Sequence, residues 1–226
     1  MTNNILVIAP HPDDEVLGCG ATIRKKAQDG HNVYILIMTN AHKTIPEKYT
    51  EEKLKRIRDA AKKAHNILGV KETFYEDFPA PMLDQFPLYK IAEAISSIIK
   101  KKNIDTVYVP HHGDIHIDHK IVFDAAMVAC RPIADYSVKR IFAYETLSET
   151  EWANPFSSDI FVPSYFETIT IENFNYKCDA MKCYASQLQE FPAARSIENI
   201  EALAKFRGAS INVERAESFS LIRMID

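Results

Sequence analysis

The first half of the chain alternates short apolar runs with longer segments in which apolar residues recur at helical spacing. The run at 5–9 is continuously apolar, which is typical of a strand covered on both faces. Gly30 and Gly69 follow two of the longer segments, as expected where helices end. Such alternation predicts a mostly parallel sheet with right-handed crossovers. The predicted strands are 5–9, 33–38, 73–76 and 106–109, and the predicted helices are 14–29, 50–68 and 88–101.

The second half has a looser pattern. It starts with a predicted helix from 119 to about 130, and the stretch 154–164, with its prolines and serines, is predicted to be a loop over the site. We expect an α/β fold whose mostly parallel sheet is sandwiched by helices, with a smaller C-terminal cap region. The remaining predicted elements are strands at 140–144 and 166–171, helices at 173–188 and 196–208, and a strand at 218–224 that closes an edge.

Composition narrows the class of protein. With 226 residues, 46% hydrophobic and 26% charged, the chain fits one globular domain spanning 1–226. A net charge of -4 offers no basic face for nucleic acid, so we expect a small-molecule partner. No secretory signal is recognisable and no apolar run approaches about 18 residues, so we expect a cytoplasmic protein without a membrane span. The four cysteines form no C-x-x-C pair and are expected to be reduced.

Two segments rich in histidine and aspartate, 10–15 and 111–119, follow predicted strands. In an open α/β sheet, ligands bind outside the carboxyl ends of the strands. If the strands at 5–9 and 106–109 are parallel neighbours, both polar segments meet at one edge of the sheet.

These segments contain the ligand types of a hydrolytic zinc site, which needs about three histidine or carboxylate ligands and an open position for water. His11 and Asp14 can supply two ligands and His119 the third, which leaves Asp13 as a general base. Each residue taken alone is more often a turn residue or a satisfied polar group, and Asp13 or Asp14 could simply cap the next helix. A metal site is indicated because segments 10–15 and 111–119 both lie in loops that follow strands. Pro12 makes the first of these loops rigid.

The sequence lacks the motifs for dinucleotide binding and for hydrolysis through a covalent intermediate. Gly18-Cys19-Gly20 follows the acidic residues instead of preceding them, so it is not the dinucleotide-binding fingerprint G-x-G-x-x-G. There is also no G-x-S-x-G elbow and no cysteine in a recognisable nucleophile context, so covalent hydrolysis is unsupported.

The sequence resembles the LmbE-like or PIG-L-type N-acetylglucosamine deacetylases. Segment 10–15 is similar to the family motif A-H-P-D-D-E with proline in place of alanine, and 116–119 is similar to H-P-D-H with isoleucine in place of proline. The resemblance implies a Rossmann-like fold and hydrolysis of an acetamide on an amino sugar. It implies that His11, Asp14 and His119 bind zinc and that Asp13 is the general base. His116, oriented by Asp118, would stabilise the oxyanion or protonate the leaving amine.

The resemblance is less specific about substrate contacts. Arg56 resembles the arginine of the family's R-x-x-E, which reaches toward the substrate, but it could equally form a surface pair with Asp59. Asp114 and His112 precede the second motif and are candidates for lining the pocket. Arg195 could approach the sugar or an attached phosphate, although fixing the cap region is the favoured role.

Three functions remain in competition. The first is a zinc-dependent N-deacetylase, with another divalent metal as an option, acting on an N-acetylated sugar or sugar conjugate. The second is a non-catalytic carbohydrate-binding or regulatory module with a structural metal, which would gain nothing from an unligated Asp13. The third is a metal-free nucleotide-sugar enzyme, against which the acidic first loop argues. The resemblance also implies a homo-oligomer, and we expect His31 and His65 to be solvated.

Overall fold

A seven-stranded sheet forms the centre of the protein in a computed structural model that describes residues 2–133 and 138–226. The order across the sheet is β3-β2-β1-β4-β5-β7-β6. The first five strands are parallel, and β7 is antiparallel to both of its neighbours. The strands are β1 (Asn4–Ala9), β2 (Asn32–Asn40), β3 (Glu72–Pro79), β4 (Thr106–Pro110), β5 (Arg140–Tyr144), β6 (Tyr165–Thr168) and β7 (Ala216–Met224).

Helices follow most of the strands and begin or end at the residues that favour such positions. Thr50 and Ser196 cap two of them by accepting a hydrogen bond from a backbone N–H in the first turn. Gly69 ends the second helix with φ 79°, a left-handed conformation that suits glycine. The helices are α1 (Asp14–Gln28), α2 (Glu51–Leu68), α3 (Leu88–Lys102), α4 (Ile117–Ala129), α5 (Ile171–Cys183) and α6 (Ile197–Ala209), with short 3-10 turns at Ala41–Lys43 and Leu83–Gln85.

Both faces of the sheet are covered, as the sequence predicted. In β1 the side chains of Ile5 and Val7 lie in one buried cluster with residues of α1, α2 and α5. The alternate residues Leu6 and Ile8 lie in a second cluster with residues of α3 and α4. This alternation explains the unbroken apolar run at 5–9, since neither face of the strand meets water.

Strands β1 and β4 are parallel neighbours, with Ile5 paired with Thr106 and Val7 with Tyr108. The loop after each strand therefore leaves the same edge of the sheet. The two strands are parallel neighbours, as the sequence prediction required, and segments 10–15 and 111–119 therefore lie side by side.

The last strand agrees with expectation in part. We predicted that 218–224 would close an edge, and residues 220–224 of β7 pair with β5 alone and are largely exposed. The first part of β7, residues 216–219, lies between β5 and β6, so β6 is the outer strand there. This part is buried, and Glu217 accepts hydrogen bonds from backbone N–H groups of α1.

Two expectations from composition can be compared with the structure. Among the described residues, no helix is both long and apolar enough to cross a membrane. All four cysteines are free thiols, as predicted.

Candidate metal centre

The turn between β1 and α1 places three acidic or imidazole side chains at the sheet edge. Thr39, at the end of β2, donates a hydrogen bond to the Pro10 carbonyl at 2.7 Å and so holds the start of the turn. The backbone N–H of His11 donates to Asp14 Oδ2 at 2.9 Å. Asp13 occupies the N-cap position of α1 without a side-chain capping hydrogen bond, and its φ of 114° is a left-handed conformation that is strained for aspartate.

His119 reaches the same point from the first turn of α4. Its Nε2 and the Nδ1 of His11 each lie 3.2 Å from Asp14 Oδ2. One ligand atom from each of the three side chains can be chosen so that all lie within 4.8 Å of one another. The three residues called metal ligands from the sequence are thus brought together.

The chemistry of this group fits a divalent cation. His119 Nε2 and Asp14 Oδ1 are buried and make no hydrogen bond with any residue in the described part of the chain. A buried polar atom without a partner is costly, and a shared cation would satisfy both. Two imidazoles and one carboxylate also match the donor set of catalytic zinc sites.

Each histidine is supported from behind by a carboxylate. Asp118 Oδ2 lies 3.1 Å from His11 Nε2, and Asp114 Oδ2 lies 2.7 Å from His119 Nδ1. Carboxylates that accept the second ring N–H fix the tautomer and orientation of metal-binding histidines. The nitrogens left facing Asp14 are Nδ1 of His11 and Nε2 of His119.

The charges in this cluster shift its titration strongly. Burial lowers the pKa of His11 and His119, but neighbouring carboxylates outweigh it, raising the pKa of His11 to about 9 and of His119 to about 10. The carboxyl of Asp14 has a pKa well below its ordinary value, because the two histidines outweigh the opposing effect of its burial. In the absence of a bound cation, protonated imidazoles therefore neutralise the negative charge of the buried carboxylates.

The position of Asp118 corrects one expectation. Its carboxylate does not orient His116: it lies against His11 and accepts a hydrogen bond from the Leu83 backbone N–H at 3.1 Å. The contact with His116 is reversed, because the Asp118 backbone N–H donates to His116 Nδ1 at 3.1 Å. A second group with metal-ligand spacing, formed by His11, His116 and Asp118, overlaps the first, but both oxygens of Asp118 already have partners.

His116 lies next to the candidate metal ligands, its ring centroid 4.5 Å from that of His11. Burial, and then the charge of His11, lower the pKa of His116 to about 4. It is therefore neutral at physiological pH. Since Nδ1 accepts a hydrogen bond, the ring proton is on Nε2.

The Asp13 carboxyl has a shifted pKa and an arginine partner. Burial, followed by the charge of Asp14, raises the pKa of the Asp13 carboxyl well above its ordinary value, and Arg195 opposes that rise. Arg195 Nη1 donates to Asp13 Oδ2 at 2.8 Å. Sequence reasoning favoured Arg195 as a residue that fixes the cap, and nothing in the local pattern indicated that it reaches Asp13 from 182 positions away.

Asp114 differs from the substrate contact we expected. It is completely buried, and both of its oxygens are engaged, one by His119 and the other by Thr150 Oγ1 at 2.6 Å. A carboxylate in this state supports the site from behind and has no oxygen left for a ligand.

His112 lies at the surface between two acidic residues. Its Nε2 is 3.6 Å from Asp124 and its Nδ1 is 3.5 Å from Asp159. Asp159 belongs to segment 154–164, which contains no helix or strand, as predicted. The backbone carbonyl of Asp159 also lies 2.8 Å from His111 Nε2. The loop is therefore anchored to the 111–113 turn.

Arg56 is largely exposed on α2 and pairs with Glu52 at 2.6 Å, one turn earlier. The surface pair expected as its alternative role is therefore present, with Glu52 as the partner in place of Asp59.

His65 is a further correction. It is buried at 3% exposure, with Nε2 3.0 Å from Glu15 Oε1 and Nδ1 2.7 Å from Thr73 Oγ1. Glu15 also accepts from Tyr184 at 2.6 Å and, through Oε2, from the backbone N–H of Asp13 at 3.0 Å. We predicted a solvated His65 because α2 is rich in lysine, but this histidine faces inward. Through Glu15 it supports the turn that contains Asp13.

Comparison with known proteins identifies the family. Residues 6–130, just over half of the chain, match the family described as PIG-L, GlcNAc-PI de-N-acetylase. The chain is 33% identical over 187 residues to the uncharacterized deacetylase YaiS of Escherichia coli, covering 80% of this chain and 90% of that protein. It is 31% identical over 123 residues to the diacetylchitobiose deacetylase of Thermococcus kodakarensis, covering 51% of this chain and 45% of that protein.

The fold is shared with solved structures as well. The N,N'-diacetylchitobiose deacetylase of Pyrococcus horikoshii, solved with an inhibitor, superposes with a TM-score of 0.76 at 22% identity, over 98% of this chain and 84% of that one. The match spans the central sheet, both helical layers and the C-terminal region. The chain therefore belongs to the PIG-L family, also called LmbE-like, and is an enzyme of the N-deacetylase class.

Proposed function

We propose that this protein is a zinc-dependent hydrolase that removes the N-acetyl group from an amino sugar or sugar conjugate and releases acetate. The observation that carries the proposal is the convergence of His11, Asp14 and His119 on one point, with two buried atoms lacking partners, beside the unligated Asp13. Relatives named diacetylchitobiose deacetylase and 2'-N-acetylparomamine deacetylase support the substrate class.

In this proposal His11, Asp14 and His119 hold the zinc ion. A zinc ion in such a site supplies a Lewis acid for the amide carbonyl and lowers the pKa of bound water. Asp114 and Asp118 orient the two histidines by accepting their second ring protons, which leaves His11 Nδ1 and His119 Nε2 for the metal ion.

Asp13 is the proposed general base. Its Oδ2 is occupied by Arg195, while Oδ1 accepts no hydrogen bond from the described residues and is available for the proton of the attacking water. A carboxyl whose pKa is raised from the acidic range is a better proton acceptor near neutral pH than an ordinary aspartate.

His116 is proposed to donate its Nε2–H to the oxygen that becomes negative as water adds to the carbonyl. A neutral imidazole with its proton on Nε2 suits this role better than delivery of a proton to the amine, for which an imidazolium is required. Donation to a developing oxyanion is worth roughly 10²- to 10³-fold in turnover in comparable sites.

We propose that Arg56 and His112, which are exposed enough to meet a small-molecule ligand, contact the rest of the substrate, whereas the burial of Asp114 argues for a supporting role. A homo-oligomer, and a divalent ion other than zinc, are compatible with the same assignment.

The proposal is tested by acetate release from a panel that includes N-acetylglucosamine, N,N'-diacetylchitobiose and other N-acetyl sugar conjugates. The zinc-loaded protein should hydrolyse at least one of them, and Asp13→Asn should keep its zinc while losing about 10²- to 10⁴-fold in kcat. Asp29→Asn, at the exposed far end of α1, is the matched control and should keep full activity.

Two results would contradict the proposal. Normal turnover in Asp13→Asn would remove the assigned base. Failure of wild-type protein on every substrate, with tight sugar binding retained, would favour the non-catalytic carbohydrate-binding module instead.

A further inference from the structure

The guanidinium group of Arg195 joins three parts of the protein at the site. Nη1 donates to Asp13 Oδ2 at 2.8 Å, Nε donates to Ser148 Oγ at 2.6 Å, and Nη2 lies 3.4 Å from Glu149 Oε1. The Arg195 side chain is 20% exposed and that of Asp13 is 3% exposed. A planar guanidinium engaged through all three nitrogens has one orientation, and the carboxylate bound to it shares that constraint.

Asp13 needs such a partner. Its φ of 114° is strained for a non-glycine residue and persists only where the surroundings enforce it. Glu15 holds its backbone N–H, but among the described residues Arg195 alone hydrogen-bonds its carboxylate. The orientation of the side chain therefore depends on this contact.

The segment at the other end of the contact is itself tied to the metal-binding group. The Glu149 carbonyl accepts from the Ile115 backbone N–H at 3.3 Å, and Thr150 donates to Asp114, which lies behind His119. Arg195 thus fixes Asp13 relative to the loop that supports His119.

We propose that Arg195 is a positioning residue, which holds the Asp13 carboxylate by one oxygen and leaves the other free for the proton of the attacking water. The inference rests on the proposed function of Asp13 as the base. It differs from direct binding of an anionic substrate group by Arg195, because three of the five guanidinium N–H groups, one on each nitrogen, already contact the protein.

Kinetics of Arg195→Ala and Arg195→Lys separate positioning from substrate binding. With the panel substrate that wild type turns over fastest, Arg195→Ala should lower kcat about 100-fold, the scale expected for a misplaced reacting group, with KM within about twofold and zinc content unchanged. Arg195→Lys keeps the charge but cannot reach three partners, so it should recover only part of kcat. Millimolar guanidinium ion should raise kcat of Arg195→Ala without changing that of wild type.

Arg207→Ala is the matched control. Arg207 is buried to a similar degree, 18% exposed, and binds both oxygens of Glu145, but it contacts none of the proposed catalytic or metal-binding residues. Its loss should leave kcat within about twofold of wild type. A rise in KM at constant kcat in Arg195→Ala, full kcat in Arg195→Lys, or an equal loss of kcat in Arg207→Ala would overturn the proposal.

A readout without turnover separates this inference from the proposed function. In metal-free protein, denaturant unfolding of Asp13→Asn, Arg195→Ala and the double variant should be non-additive, with the double change costing less than the sum of the single changes. A crystal structure of Arg195→Ala should show the Asp13 carboxylate displaced. Additive costs, or an unmoved carboxylate, would overturn the positioning role. If wild type cleaves no substrate while the costs are non-additive and the carboxylate moves, the catalytic assignment fails but Arg195 still positions Asp13.

Discussion

At the scale of single residues, the histidines of the proposed metal site depend on the carboxylates behind them. Asp118 and Asp114 are completely buried, and each accepts from one histidine and from one further group. Such partners fix ring orientation and raise ligand basicity. They are therefore as much a part of the proposed metal site as the ligands.

Asp118→Asn should weaken zinc binding about 10- to 100-fold, because the amide no longer accepts the ring proton of His11 as a carboxylate does. Competition with a chromogenic chelator measures the affinity. Asp124→Asn, on the same helix but 47% exposed, is the control and should bind zinc like wild type. Equal affinities in Asp118→Asn and wild type would contradict the supporting role.

Zinc binding should release protons, up to two per ion at pH 7.5. The raised pKa values of His11, about 9, and His119, about 10, lie above this pH, so the metal-free imidazoles carry protons that a metal ion must displace. Affinity should consequently fall as the pH is lowered. Calorimetry in buffers of different ionisation enthalpy counts the protons, and a binding enthalpy independent of the buffer would refute the expectation.

At the scale of elements, the outer strand β6 is tied to α1 by an ion-pair cluster. Glu167 has a side chain only 6% exposed, and its oxygens lie 2.6 Å from Lys25 Nζ and 2.7 Å from Lys26 Nζ. Burial alone would raise the pKa of Glu167, but hydrogen bonds from the two lysines lower it below the ordinary value. This cluster secures the edge of the sheet.

The stabilisation by Glu167 should be lost in acid. Its folded-state pKa is lowered, so the contribution is present above the ordinary value of 4.5 and disappears as the pH falls through the lowered pKa. Glu167→Gln should reduce the free energy of unfolding by about 1 kcal/mol at pH 7, and the difference from wild type should shrink as the pH falls below 4.5. Urea unfolding at several pH values checks this.

Glu72→Gln removes a comparable but more exposed pair, with Lys102. An exposed pair contributes about 0–1 kcal/mol, so this control should change little. A pH-independent difference between Glu167→Gln and wild type would show that the cluster acts through packing and not through charge.

Elements with a strong local pattern were predictable. The strand Arg140–Tyr144 was placed at its observed ends, and Gly69 marked the end of α2, because apolar runs and left-handed glycines act locally. The pairing of β6 with the start of β7 was not predictable, since it is set by sheet topology. The burial of His65 also depended on a partner, Glu15, 50 positions away.

At the scale of the whole molecule, the site forms where the order of strands reverses. From β1 the chain builds outward through β2 and β3, and then returns to place β4 on the other side of β1. This is the topological switch point at which α/β sheets bind ligands. The two polar loops meet there because both follow central strands.

This topology explains which part of the site could be read from the sequence. Segments 10–15 and 111–119 follow recognisable strands and carry dense motifs, so their meeting was foreseeable. The contributions of 146–150 and Arg195 come from loops without periodicity, and their contacts with Asp114 and Asp13 arise only when the C-terminal region packs against the sheet.

The central claim is that turnover depends on a metal ion held by His11, Asp14 and His119. Acetate release should be measured on one preparation in three states: zinc-loaded, stripped with a chelator, and stripped then resupplied with one equivalent of zinc. We predict that stripping lowers the rate at least about 100-fold while the protein stays folded, and that resupply restores it. Full activity in stripped protein with no residual metal would contradict the account.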